Sequence, residues 1–210
     1  MPMTSRCVGL FVDITNSVYC SADFQHQVFK KWLGDNVSVM TSVAGTGSNG
    51  SAPNQLSSPN GIFVDTNFDL YVADWRNNRI QLFRLGQSNG ITVAGNTSEK
   101  QTIALYRPSN VILDANKYLF ITDSYNNRII GSDGKGFRCI VGCTGSPGSN
   151  FDQLSNPRSI AFDTSGNLYV VDRNNSRIQK FILSTNSCCK YRHILIRPIK
   201  YCFSIIQYLN

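Results

Sequence analysis

The sequence predicts an all-β fold built from a repeated four-stranded antiparallel sheet, the blade of a β-propeller. Composition is the first observation behind this: in 210 residues only 16% are charged and Glu99 is the sole glutamate. Helices that face water draw on Glu, Lys and Ala, so long helices are excluded. The second is a repeat: segments 56–83, 105–132 and 154–181 align without gaps, and Pro59, Pro108 and Pro157 stand 49 residues apart. Such a period is the signature of solenoids and propellers. The third is that each copy holds short β-branched and aromatic runs separated by turn residues, with no room for a helix.

Taken in order, the first copy is worn. Residues 9–32 and 42–47 keep Asp13 and Asp23 but lack the Pro and the Arg of the others, and the two Asp lie ten apart rather than nine. The second copy gives strands at 61–65, 70–74, 79–83 and 91–95, punctuated by Thr66, Asn67, Asn77 and Asn78. The third and fourth copies repeat it. Repeat bounds are therefore about 9–47, 56–95, 105–142 and 154–181, inside a propeller region 1–184. Three good blades and one degenerate blade are therefore expected. Residues 185–210 are expected to be a non-repeat basic and apolar tail that breaks off where a fourth strand should follow Phe181.

Charge and cysteines bound the function classes. The net charge is +7, but Lys190, Arg192, Arg197 and Lys200 place +4 of it in the tail, so a basic, nucleic-acid-like body is not established. No apolar run approaches the ~20 residues of a membrane span, so membrane insertion is not expected. Nothing in the chain fixes the compartment. The seven cysteines contain no CxxC. Cys139 and Cys143 are a candidate disulfide, although in a continuous strand their Cα atoms would lie about 13 Å apart, beyond the ~7 Å bridging limit. They can pair only if the chain turns near Gly142, which aligns with Gly95; otherwise they remain two thiols.

The pattern P-x-x-[IV]-x-x-D-x-x-x-x-[LY]-[YF]-[VI]-x-D-x-x-N-[NS]-R-I, anchored at Pro59, Asp65, Asp74 and Arg79 and their counterparts, resembles the NHL repeat of six-bladed propellers. The resemblance implies a propeller, incomplete here because a ring of six such repeats needs roughly 300 residues, and little about function, because propellers host unrelated activities. NHL propellers occur as RNA- or protein-binding ends of tripartite-motif ubiquitin ligases, in a zinc-dependent amidating lyase and in large extracellular proteins. The lyase reading would need several His ligands around the channel, and only His26 and His193 are present. No phosphate loop, G-x-S-x-G or H-E-x-x-H occurs either. No catalytic residue, metal or cofactor is expected.

The repeated charges read as a folding device. Asp74 with Arg79, Asp123 with Arg128, and Asp172 with Arg177 flank a turn between the second and third strands, where the carboxylate can accept turn N–H groups and pair with the Arg. Asp65, Asp114 and Asp163 cap the turn from first to second strand. Binding residues should instead be those that vary while the frame repeats. Trp75, Arg76, Tyr125 and Arg173 follow the hairpin Asp, and Arg107 and Arg158 flank the anchor prolines on the same face. Large aromatics and Arg are the usual material of contact hot spots. The expectation is a non-catalytic binding or scaffold module, part of a larger protein, that presents these loops to a protein, or to a glycan. Single-stranded RNA binding is the alternative, since Arg beside aromatics suits stacked bases. Open blade edges also invite self-association.

Overall fold

Sixteen strands make four sheets in a computed structural model that describes residues 6–34, 40–96, 102–184 and 202–209. The first sheet holds β1 (Cys7–Val12), β2 (Ser17–Ala22), β3 (Gln27–Trp32) and β4 (Thr41–Ala44). The second holds β5 (Pro59–Val64), β6 (Leu70–Asp74), β7 (Arg79–Phe83) and β8 (Ile91–Gly95). The third comprises β9 (Pro108–Leu113), β10 (Leu119–Asp123), β11 (Arg128–Asp133) and β12 (Gly136–Val141). The fourth comprises β13 (Pro157–Phe162), β14 (Leu168–Asp172), β15 (Arg177–Ser184) and β16 (Cys202–Leu209). Each sheet is an antiparallel meander in chain order. No α-helix occurs among the described residues; three single 3-10 turns, Trp75–Asn77, Ser124–Asn126 and Arg173–Asn175, join second strands to third.

Local chemistry explains why the strands stop where they do. Asp65 Oδ1 accepts the N–H groups of Asn67 and Asp69, Asp114 those of Asn116 and Tyr118, and Asp163 those of Ser165 and Asn167. Asp13 repeats the motif with Thr15 and Ser17. An aspartate that satisfies two turn donors fixes the reversal between first and second strands. The prolines open β5, β9 and β13, positions where a missing N–H is tolerated. At the end of the fourth strand, Gly95 and Gly142 have φ of 88° and 71°, and a Cβ there would lie 2.2 Å from the carbonyl oxygen of Asn78 or Asn127. Only glycine fits such a turn.

Blades stack through alternating apolar faces. Tyr19 and Val28 of the first blade pack on Ile62, Val64, Leu70 and Val72 of the second. Ala73 and Ile80 of the second then meet Val111, Leu113, Leu119 and Ile121 of the third. Phe120 and Ile129 of the third meet Ile160, Leu168 and Val170 of the fourth. Among the described residues there are thus three core clusters, one at each junction between consecutive blades.

Two expectations change. The segment expected as a non-repeat tail supplies the outer strand of the fourth blade over Cys202–Leu209, paired antiparallel with β15; the rest of 185–210, His193 included, lies outside the described residues. An apolar, β-branched run can complete a free strand edge without matching the repeat period. In the first blade, Asp23 is not the counterpart of Asp74. The register pairs Ala22 with Gln27 where the second blade pairs Asp74 with Arg79, so the worn blade has lost the buried charges. Asp23 instead meets the exposed Arg6 at 2.8 Å.

Candidate functional site: an aromatic and cationic rim beside the central cavity

The frame of the rim is set by the repeated Asp and Arg. Asp74 Oδ2 accepts from Arg79 Nε at 2.7 Å and from Asn77 Nδ2 at 2.8 Å. Its Oδ1 accepts the N–H of Ser57 at 2.7 Å, in the segment leading into its own blade. Asp123 does the same with Arg128, Asn126 and Tyr106, and Asp172 with Arg177, Asn175 and Ser155. The expected turn N–H partners are thus replaced by the lead-in N–H of the blade, because the 3-10 turn points its own amides elsewhere. Arg79 and Arg177 each spread the rest of the guanidinium over three carbonyls of the preceding inter-blade loop. All three carboxylates are fully buried, and all their charge is spent on holding loops.

A second device joins consecutive blades, and the sequence does not announce it. The residue before each anchor proline is left-handed: Ser58, Arg107 and Asn156 have φ of 50°, 51° and 50°. A pre-proline residue is normally extended, so something must hold it. Its N–H donates to the side chain of the left-handed residue closing the turn of the blade before: His26 Nδ1 for Ser58 at 3.1 Å, Asn78 Oδ1 for Arg107 at 2.8 Å, and Asn127 Oδ1 for Asn156 at 2.9 Å.

This pinning aims Arg107 across the rim. Its guanidinium lies 4.4 Å from the Trp75 ring centroid, 4.8 Å from that of Tyr125 and 5.8 Å from that of Tyr106. The rings themselves meet edge to face, Tyr106 with Tyr125 at 5.3 Å and Trp75 with Tyr125 at 6.0 Å. Trp75 Nε1 is shielded from water and has no hydrogen-bond partner among the described residues. Three of the six rim residues read from the sequence therefore converge: Trp75, Arg107 and Tyr125. Tyr106 was missed, although it replaces Ser57 and Ser155 at a repeat position and so shows the same variability that marked Trp75.

Arg158 is near enough to Arg173 and Tyr125 to feel both electrostatically. Burial, then the neighbouring Arg173, hold its guanidinium below its ordinary value; Tyr125 opposes this and Arg6 adds to it. Arg173 and Arg76 are exposed on their turns. None of Arg76, Arg107, Arg158 and Arg173 forms an ion pair among the described residues.

Arg158 also reaches the central cavity, about 640 Å³, lined by the first strands of all four blades. Phe11, Gly61, Asn110 and Ser159 are typical of its wall, and Arg158 is its one charged lining residue among the described residues. No group of three or more His, Cys, Asp or Glu among the described residues could hold a metal. Elsewhere, Cys139 and Cys143 are joined in a disulfide, with Cα atoms 5.6 Å apart across the turn at Gly142. A second disulfide, unforeseen from sequence, links Cys7 to Cys20 between β1 and β2.

Known proteins share this architecture. No curated protein sequence matches the chain. Among solved structures, virginiamycin B lyase from Staphylococcus aureus is similar with a TM-score of 0.59 and 13% identity, over 86% of this chain and 54% of that one. A nidogen/laminin complex contains a chain similar with a TM-score of 0.62 and 19% identity, over 83% of this chain and 59% of that one. A Bacteroides thetaiotaomicron protein of unknown function gives a TM-score of 0.68 at 12% identity, over 84% and 47%. At these identities the likeness concerns the fold, and the chain spans about half the length of these propellers. Residues 154–181 match the family model of the NHL repeat. With its four antiparallel four-stranded sheets, the chain is all-β in a four-blade propeller arrangement, and its fourth blade carries an NHL repeat.

Proposed function

We propose that the chain is a non-catalytic binding module whose rim at Trp75, Tyr106, Arg107, Tyr125, Arg158 and Arg173 takes an acidic segment of a protein partner. The observation that carries this is the group of rim cations without carboxylate partners among the described residues, around a rigid aromatic cluster. Desolvated aromatics flanked by Arg are the side chains that dominate protein contacts, and uncompensated positive charge selects acidic partners. RNA is less well supported, because Arg107 already covers the ring faces of Trp75 and Tyr125 on which bases would stack. A catalytic reading lacks a donor set, since the described wall of the cavity offers no general acid or base. The similar propeller of the nidogen/laminin complex belongs to a protein assembly, which is in keeping with this reading. Two disulfides suit an oxidising compartment.

The test is a displayed peptide library panned on the folded chain. Enriched peptides should carry Asp or Glu, and Trp75→Ala with Tyr125→Ala should weaken them by at least roughly 30-fold, the loss of about one hot spot. The double variant should still fold, with a melting temperature lowered only by the ring contacts that Trp75 and Tyr125 make with each other, with Tyr106 and with Arg107. Equal affinity for the double variant would place recognition elsewhere. Tight, salt-sensitive binding of a single-stranded RNA oligonucleotide would favour the alternative.

A further inference from the structure

Many asparagines of this chain hold the fold, and two that do not are set apart by where they stand. Asn77 and Asn175 donate through Nδ2 to the buried Asp74 and Asp172, each at 2.8 Å, and Asn78 and Asn127 accept through Oδ1 from the lead-in of the next blade. Asn49 and Asn174 are exposed, and neither side chain makes a hydrogen bond among the described residues. Each begins an N-x-S sequence, Asn49-Gly50-Ser51 and Asn174-Asn175-Ser176. Asn36 and Asn96 begin further N-x-S/T sequences, which lie wholly or partly outside the described residues.

The exposure of both asparagines belongs to the repeat, whatever lies beyond either end of the chain. Asn174 stands two residues after Asp172, as Arg76 and Tyr125 follow Asp74 and Asp123; both of these are exposed with a following blade in place. Asn49 precedes Gly50, whose N–H donates to the carbonyl of Leu56 and whose own carbonyl accepts from Asn77 Nδ2. Pro147 precedes Gly148, which makes the same two bonds with Leu154 and Asn175, and Pro147 is exposed between later blades. The backbone beyond Asn49 is clamped further by Arg79 Nη1, which donates to the carbonyl of Ser51 at 2.8 Å. A fixed backbone thus carries an amide side chain that the fold does not use.

We infer that Asn49 and Asn174 are N-glycosylation sites. An asparagine two residues before Ser or Thr, with no Pro between, is the acceptor sequence. In the transfer, Nδ2 forms a bond to C1 of the first sugar of a lipid-linked oligosaccharide, the C1–O bond to the lipid diphosphate breaks, and the amide gives up one proton. Transfer takes place on the emerging chain, so the fold must afterwards leave the glycan in water. Both positions do so, and a sugar on either nitrogen displaces no hydrogen bond. The disulfides Cys7–Cys20 and Cys139–Cys143 are the independent sign, since they form in the same oxidising lumen. One glycan stands on the loop entering the second blade, and the other beside Arg173 at the edge of the rim.

The experiment uses the protein purified from the cells that make it. Peptide N-glycosidase removes such glycans and leaves aspartate, which carries a mass label when the reaction runs in heavy-oxygen water. Treatment should lower the intact mass, and the peptide map should show label at Asn49 and Asn174. An untreated sample in the same water should show none; label there is spontaneous deamidation, to which an Asn-Gly pair is prone, and overturns the assignment at that residue. Ser51→Ala and Ser176→Ala, made in the same cells, should each lose the mass of one glycan, whereas Ser51→Thr should keep it. Unchanged mass with no label overturns the inference, and label at one asparagine alone overturns it at the other. A variant without its hydroxyl that keeps the full mass overturns it at that site. The readout is a mass, so it stands whatever the rim binds.

Discussion

Replacing Asp123 by Ala tests whether the repeated charges hold the fold. Three donors lose their acceptor at once: the N–H of Tyr106 at 2.7 Å, Asn126 Nδ2 at 2.9 Å and Arg128 Nε at 2.9 Å. Removing one partner of a buried pair costs about 3–5 kcal/mol. The Arg128 side chain keeps 21% of its exposure and a bond to the carbonyl of Ala104, so water can rehydrate it and the lower end applies, about 3 kcal/mol. For a chain of this size that corresponds to roughly 6–12 °C in melting temperature. Asp123→Asn keeps an acceptor for Tyr106 but sets an NH2 donor against Asn126 Nδ2 and Arg128 Nε, so it should be milder than Ala by only about 1 kcal/mol, the Tyr106 bond. Thermal unfolding followed by circular dichroism, with reversibility checked by a second scan, reads both variants. The alanine variant should also change Trp75 fluorescence, because the Tyr106 backbone that positions the ring cluster is released. A shift below about 2 °C for Asp123→Ala would refute the reasoning, and an Asn variant as damaging as Ala would refute the assignment of Oδ1 to the lead-in N–H.

Two further tests concern the first blade. His26→Leu removes the acceptor for the Ser58 N–H and should lower stability by about 1–2 kcal/mol, while His26→Asn, the residue used in the next two blades, should restore most of it in chemical denaturation. For Asp13, burial alone would raise the carboxyl, but the Thr15 hydroxyl, the N–H groups of Ser17 and Thr15 and the Tyr19 hydroxyl outweigh it and bring it to about 2 from 3.8. A folded value below the free one means stability present above about pH 4 and lost as pH falls toward 2. Unfolding free energies from chemical denaturation should therefore fall between pH 5 and pH 2 by about 1–2 kcal/mol more in wild type than in Asp13→Asn, and parallel curves would contradict the assignment.

What was legible in the sequence follows from what repeats. The Pro, Asp and Arg anchors each answer a local backbone demand, so their spacing of 49 residues exposed the blade and its strands. The worn blade misled at Asp23 because Ala22, the true counterpart of Asp74, carries no chemical mark and only the strand register reveals it. The link from His26 to Ser58 spans 32 residues and uses an imidazole where later blades use an amide, so no motif betrays it. Tyr106 was within reach of the variability argument but escaped it, lying two residues before its proline rather than beside it. The fourth blade's outer strand was hidden because Cys202 begins 18 residues after Ser184, off the period of the others.

The pre-proline links have a direction, and it matters during synthesis. The left-handed residue at each blade's lead-in is held by an acceptor from the blade N-terminal to it, never from the one that follows. As a polypeptide emerges from the ribosome N-terminus first, each finished hairpin already offers the acceptor that the next blade requires. Growth is therefore templated along the chain, with every new blade seating on a surface made moments earlier. The reverse order would leave a proline lead-in to find its strained geometry unaided. The first described blade, which lacks the buried Asp and Arg, is stapled by a disulfide between Cys7 and Cys20, a covalent bond where the blades after it rely on charge.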